Sequence, residues 1–400
     1  MKKENKQSAV LLWAKVIEKA TIFSTISPQK IGIMLIIACC LLKSKTSCLY
    51  KASDKISSCL GLGSLLKVNY QHFIKFFQTG KGDLIQKAIL QLIVLFLFNT
   101  CTNCHLVLDR TNWKYGKTHK NILCIGAIYY GCFVPLVWID LNKAGNSSMK
   151  TRLELIQRLK DQWTQVIPFP PIHLSGDREF IGEYWLRRLV KMDILFVIRL
   201  KKNKKCQVWF NNGIKEREVK IGVLHKYMTK KGLDSHKIIL AEDYIANFIV
   251  LKNTSPNPDE PFLYLITNLE DTQLAAELYR MRWKIECCFK HLKSNGFDLE
   301  KQNFTAPHKS ELLISLLVLV YAMAIYEGVI IHQSEDKPVM KTYKVKELNG
   351  SLRVVYYPAK SVFRSGLSKI EDIILKLDDF IAYIEAIIYD FVILNQAFIL

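Results

Sequence analysis

Three acids in this chain are placed where they could do chemistry together. Asp109 closes the short apolar run CHLVLD, Asp177 closes a second run, IHLSGD, and Glu286 sits in YRMRWKIECCFKHLKSNG (279–296) among aromatics and cations. Taken singly, each acid reads as a solvated charge or a helix cap. Taken jointly, three converging carboxylates with no cation between them cannot all ionise comfortably. Such a cluster is normally held by divalent metal. Hard oxygen donors that leave positions open suit Mg²⁺ or Mn²⁺, which keep waters and accept phosphate oxygens as remaining ligands. Two such ions about 3.5–4 Å apart activate an attacking oxygen and stabilise a leaving one in phosphodiester chemistry.

The surroundings of Glu286 fit a phosphate-bearing substrate. At about 100° per residue, Tyr279, Arg282, Glu286, Lys290 and Lys293 fall within an arc of roughly 80° on a single helix, with Trp283, Cys287 and Leu292 expected on packing faces. Glu286 and Lys290 alone have the i,i+4 spacing of an ordinary surface helix. Position favours the functional reading, because this is the helix that the two aspartates require. Cations flanking the acid would grip phosphates on either side of a scissile bond, and Arg178, beside the second aspartate, joins them as a DNA-binding candidate.

The elements that must carry these acids can be read from periodicity. Residues 1–98 read as a helical N-terminal domain, either a bundle or a basic DNA-binding module. In it, VNYQHFIKFF spaces Tyr70, Phe73 and Phe77 at helical intervals. Three strand-like runs follow: 104–109, 121–131 and 132–141, with Gly131 as a turn signal. A helix over 147–163 has serines as capping candidates. A strand over 172–177, a second helix and a strand over 193–200 complete the first part of a core spanning 99–200. Residues 201–270 read as a β-rich insertion. The second part of the core, 271–335, contains the Glu286 helix, and 336–400 form a mostly helical C-terminal region. A mixed sheet that sets the first and fourth strands side by side delivers both aspartates to one edge, where functional groups gather.

Bulk properties point the same way. The 400 residues include 56 Lys and Arg against 36 Asp and Glu, a net charge of +20, which suits a polyanion and nucleic acid first. Eleven scattered cysteines and no secretory signal suggest reduced thiols in the cytoplasm. CTNC (Cys101, Cys104) has zinc-knuckle spacing without a second pair, so buried thiols are expected there. The apolar runs at 31–42 and 88–98 are too short for a bilayer, which needs roughly 20 residues. The run at 311–331 carries Glu311 and Glu327, so a buried core helix, not a membrane protein, is expected.

These motifs resemble a known family. Tyr-x2-Arg-x3-Glu-x6-Lys, met by Tyr279, Arg282, Glu286 and Lys293, is similar to the signature of the bacterial insertion-sequence-four family of DDE transposases. LDRTNW (108–113) resembles its first-aspartate motif, SGDREF (175–180) its second, and VNYQHFIKFF the end of its N-terminal region. The resemblance spans about residues 30–335. It implies a ribonuclease H-like α/β core with a β-rich insertion, and two Mg²⁺ (or Mn²⁺) ions on Asp109, Asp177 and Glu286. It also implies cut-and-paste transposition: hydrolysis at the element ends, then 3′-OH attack on target DNA, with a hairpin route and a flipped base as a variant. The DNA partners would be terminal inverted repeats and target, held by a homodimer on paired ends. Tyr279, Arg282 and Lys293 would contact phosphate near the cut. Trp209, the tryptophan of the insertion, is a candidate base-stacking partner, and Trp113 a buttress beside Asp109. Two other readings are a nuclease of the same fold that cuts without joining, and a transposon-derived DNA-binding protein without catalysis.

Overall fold

The computed structural model describes residues 26–60, 66–78, 80, 82–210, 215–240, 244–253, 260–334, 340–346 and 351–396. Among the described residues five helices come first: α1 (Pro28–Ser44), α2 (Leu49–Ser53), α3 (Ile56–Leu60), α4 (Leu66–Phe77) and α5 (Gly82–Phe98). Proline at its first turn starts α1 without wasting an amide, and Lys45 in the left-handed region ends it. The aromatic stretch of α4 buries Phe73, Phe76 and Phe77, so that face packs on the core.

A ten-stranded mixed sheet follows, in the order β3-β2-β1-β4-β5-β10-β9-β8-β6-β7. Strands β1 (Cys104–Tyr115), β2 (Thr118–Tyr129) and β3 (Cys132–Asp140) form an antiparallel meander. The β2–β3 turn places Tyr130 and Gly131 both at positive φ, the conformation that matches the twist of a two-residue hairpin. Helix α6 (Met149–Trp163), capped by the Ser148 hydroxyl on the Thr151 amide, crosses to β4 (Ile172–Gly176), parallel to β1. Helix α7 (Glu183–Lys191) leads to β5 (Leu195–Leu200), parallel to β4. Those five strands, in the order β3-β2-β1-β4-β5, make the ribonuclease H-like core that the family resemblance implies.

The region between β5 and the Glu286 segment contains β6 (Lys205–Phe210), β7 (Lys215–Lys220), helix α8 (Ile221–Lys231), β8 (Ser235–Leu240), β9 (Tyr244–Lys252) and β10 (Phe262–Thr267). It extends the core sheet directly, because β10 pairs antiparallel with β5 and β9 with β10. Helix α8, inside a stretch whose sequence reads as strands, buries Ile221, Leu224 and Met228 at helical spacing.

The segment from Tyr279 to Lys293 is not one helix. Helix α9 (Thr272–Met281), capped by the Asp271 carboxylate, ends at Arg282, and α10 (Lys284–Leu292) restarts two residues later. The break uses tightened bonds from the Ile285 amide to Arg282 and from the Glu286 amide to Trp283. Trp283, expected on a packing face, is 53% exposed, as its place about 20° from Lys290 around the helix axis requires; Leu292 is buried and Cys287 partly so.

Helix α11 (Pro307–Gln333) is the central apolar rod. Among the described helices it alone is long and apolar enough to cross a membrane, and 78% of its most apolar window is buried inside the protein. Its two acids have partners. Glu311 accepts the Asp140 amide at 2.8 Å, and Glu327 accepts the Tyr383 hydroxyl at 2.6 Å. Beneath Glu311 lies a fully buried ion pair, Lys120 Nζ to Asp140 Oδ2 at 2.8 Å, with Lys120 also donating to the Thr305 carbonyl at 2.9 Å. After α11 come a two-stranded hairpin, β11 (Met340–Lys346) and β12 (Leu352–Pro358), and helices α12 (Val362–Ile373) and α13 (Leu377–Gln396). Gly328 of α11 faces the Val362 carbonyl and Gly366 of α12 faces the Ala324 carbonyl. A Cβ at either glycine would run into the other helix's backbone. The cysteines are free thiols, with Cys104 buried and Cys101 partly so.

Candidate active site

Register brings the two aspartates together. Leu108 of β1 pairs with Gly176 of β4, so Asp109 and Asp177 each follow as the next residue on adjacent parallel strands. Asp109 lies within β1, opposite Cys124, because the strand runs on to Tyr115 instead of ending at the acid. Asp177 leaves β4 in extended backbone and starts the short 3-10 turn Arg178–Phe180.

A clamp unseen in the sequence fixes the pair. Arg110 Nε donates to both Glu179 carboxylate oxygens, at 2.8 and 2.7 Å, and its Nη1 donates to the Gly145 carbonyl at 3.0 Å. The residue after Asp109 and the second residue after Asp177 therefore tie β1 to the turn that follows Asp177. Arg199, the lone cation in the apolar strand β5, approaches Asp177 Oδ1 at 3.7 Å and donates to Glu260 at 2.6 Å. A single charge in an otherwise apolar run was the signal available for it. Glu260 also receives Arg178 at 2.7 Å, and the Arg199 bond holds its carboxyl below the usual range. Arg178 is thus paired with an acid.

The third acid is linked to the first by a cation. Arg282, at the helix break, donates from Nη1 to Asp109 Oδ2 at 2.7 Å and from Nη2 to Glu286 Oε1 at 2.5 Å. Glu286 turns to Arg282 and not to Lys290, which stays exposed. Sequence reasoning assumed no cation among the carboxylates; the structure puts a guanidinium between two of them. Arg282 itself is nine-tenths hidden from solvent, a cost that Tyr279, Asp109, Asp177 and Glu286 more than offset, so its pKa is raised. Tyr279 is buried with Val197, Leu265, Leu269 and Ala275, and burial pushes its phenol up to about 12. Lys293 lies further along, donating to the Asn112 carbonyl at 3.0 Å, pairing with Glu300 at 2.9 Å and sitting 5.2 Å over the Trp113 ring. Trp113 is buried and supports that ammonium. The backbone of Trp209 lies on β6, four strands beyond β5, and its side chain lies outside the described residues.

The electrostatics fit a hard divalent cation at the aspartates. Burial pushes the Asp109 carboxyl up to about 6, against the pull of Arg282 and of the Arg110 amide, with Asp177 and Glu179 adding to the rise. Asp177 Oδ1 is buried without a hydrogen bond, since Arg199 at 3.7 Å is near enough for attraction and too far to donate. An orphaned carboxylate oxygen beside a second buried carboxyl is what such an ion satisfies. Glu286, at 58% exposure, stands apart, and among the described residues no three donors are close enough to enclose a metal. Beside Asp177 opens a cavity of about 580 Å³, whose walls include Asn146, Arg178, Lys201, Asn203 and Lys204, none but Arg178 anticipated.

No curated protein matches the sequence. Among solved structures, the chain is similar to the piggyBac transposase synaptic complex with hairpin DNA, at 10% identity and TM-score 0.44, covering 78% of this chain and 70% of that one. It is also similar to a Ciona intestinalis endonuclease V variant in complex with inosine-containing DNA. There the identity is 14% and the TM-score 0.27, over 51% of this chain and 88% of that one. At these scores neither likeness carries weight for the reaction. The sequence family does: the transposase DDE domain matches residues 100–323, which contain Asp109, Asp177 and Glu286 and make up more than half of the chain. The chain therefore belongs to the transposase DDE domain family.

Proposed function

We propose that the protein is a cut-and-paste DNA transposase of the insertion-sequence-four type, with Asp109, Asp177 and Glu286 as its catalytic carboxylates. The observation that carries this reading is the pairing of Asp109 and Asp177 on adjacent parallel strands, with Arg282 joining Asp109 to Glu286. Asp109 and Asp177 would hold two Mg²⁺ or Mn²⁺ ions, with Glu286 completing the set once its carboxylate leaves Arg282. Bound there, the ions supply activation of the attacking oxygen and charge neutralisation at the leaving one.

The chain's own residues supply position. The Arg110–Glu179 clamp holds the aspartates in fixed relation, and Arg199 offsets the charge of Asp177. Arg282, exchanged from carboxylate to phosphate, and the exposed Lys290 would grip the DNA backbone beside the cut, as charge-assisted bonds to phosphate do. Lys293 and Tyr279 act from behind, through Asn112 and Arg282. The substrates are terminal inverted repeats and target DNA, joined by attack of the freed 3′-OH, with a hairpin intermediate as one route. A homodimer on paired ends, acting in the cytoplasm on the nucleoid, completes the proposal, as does the division at residues 98, 200, 270 and 335.

Glu286→Gln keeps the shape of the helix and removes one anionic donor. Binding of duplex DNA should persist while cleavage and strand joining with Mg²⁺ or Mn²⁺ are abolished. Cleavage near the wild-type rate would refute the site. Cleavage by the wild type without any joining would instead identify a nuclease.

A further inference from the structure

Beyond the last residue that matches the family, β11 and β12 pair, among the described residues, only with each other, in the register Thr342↔Tyr356 and Lys344↔Val354. A lone two-stranded ribbon is marginal in water, so its stability calls for a partner. Alternation along each strand puts Thr342, Lys344, Val354 and Tyr356 on one face and Lys341, Tyr343 and Arg353 on the other. Both faces stand open: Tyr343 is 52% and Tyr356 64% exposed, and Lys341 and Lys344 are exposed too. The two strands contain Lys341, Lys344, Lys346 and Arg353 and no acid. Lys341 and Lys344 make no ion pair among the described residues.

The distribution of charge selects the partner. A ribbon that docks on protein presents one apolar face and keeps its cations on the other. Here each face mixes cations with aromatic or aliphatic side chains, which suits a polyanion lying on both sides at once. The major groove of B-DNA, about 12 Å wide and walled by phosphates, admits a two-stranded ribbon. We propose that β11–β12 is a DNA-binding ribbon that enters the major groove, with Lys341 and Tyr343 turned to one wall and Lys344 and Tyr356 to the other, the two lysines contacting phosphates on opposite walls. The proposal rests on the DNA-processing reading above and adds a contact surface outside the catalytic region.

The test compares the full chain with the Lys341→Gln/Lys344→Gln double variant, titrated onto a random-sequence duplex over a range of salt. Each phosphate contact contributes about 0.9 to the slope of log affinity against log salt. The variant's slope should therefore be shallower by about 1.8, and between about 50 and about 200 mM salt the wild type should lose about twelve-fold more affinity than the variant. A second readout needs no variant: saturating duplex should protect Lys341 and Lys344 of the wild type from acetylation by an activated ester. Unchanged slope, or full reactivity of both lysines in the complex, overturns the ribbon while leaving the DNA-processing reading intact. Failure of the wild type to bind any duplex overturns that reading and the ribbon together. A variant with altered sedimentation but wild-type DNA binding overturns it too, in favour of a contact between copies.

Discussion

Asp109 is the residue whose removal should make the protein stronger. Its carboxyl titrates at about 6 in the folded chain against an ordinary value of 3.8, chiefly because it is buried. Above pH 6 it is ionised in both folded and unfolded chains, and the folded state bears the full cost of the buried charge. As pH falls between 6 and 3.8 the folded carboxyl protonates first and the cost shrinks; below 3.8 it is gone. At 1.36 kcal/mol per tenfold change in acidity, the cost at neutral pH is about 3 kcal/mol. Asp109→Asn is nearly isosteric and its amide oxygen can accept the Arg110 amide at the position that Oδ1 holds at 2.8 Å, while its NH2 group meets the Arg282 donor at the Oδ2 position and takes back part of the gain. At pH 8 it should be more stable than the wild type by up to about 3 kcal/mol, a rise in Tm of up to about 6 °C at about 2 °C per kcal/mol. Urea unfolding and thermal scans from pH 8 to pH 4 measure the difference, which should decline through pH 6 and vanish near pH 4. Addition of Mn²⁺ at pH 8 should raise the Tm of the wild type more than that of the variant, because binding to the folded state alone stabilises it by mass action. A variant as stable as the wild type or less at pH 8, or a difference that ignores pH, would refute the reasoning.

Two further outcomes follow from the packing around the site. Arg282→Gln removes the cation that pulls Asp109 down, so the Asp109 titration, followed by carboxyl carbon NMR, should move above 6; a downward move or none would contradict the contact at 2.7 Å. Lys120→Met strands Asp140 in the core without its partner and should cost about 3–5 kcal/mol in urea unfolding; a loss under about 1 kcal/mol would mean the pair is replaceable by packing alone.

Much of the catalytic sheet was legible because its strands are β-branched runs bounded by turn residues. Gly131 and Ser148, for example, act as the turn and the cap that their types imply. The two aspartates could be placed for the same reason: each ends or interrupts an apolar run beside its neighbour strand. The break at Arg282–Trp283 was not legible. No glycine or proline marks it, helical periodicity continues across it, and both residues keep right-handed helical backbone, so no local preference announces it. Trp283 was misplaced because its angle, about 20° from Lys290, was not weighed, and the Glu286–Lys290 pair because Arg282 offers Glu286 the same i,i+4 spacing on the other side. The bridging role of Arg282, like the Arg110–Glu179 clamp, depends on residues over sixty positions apart, a relation that spacing within one element does not encode. Helix α8 was hidden because its apolar residues share a short charged segment with strands on either side.

The contact between α11 and α12 bears on how copies of such a gene are judged intact. Phe363 of α12 stacks at 4.5 Å on His291, on the far side of α10 from the site, and at 5.2 Å on Tyr321 of α11. Gly366 seats α12 against the Ala324 carbonyl. The backing of the Glu286 helix is thus encoded after the last residue of the recognisable domain, whose boundary at 323 falls inside α11. A reading frame that ends between α11 and α12 retains every motif acid and loses the wall behind one of them. Counting intact motifs overstates how many copies make a rigid site; a reading frame open through codon 373 is the sounder criterion.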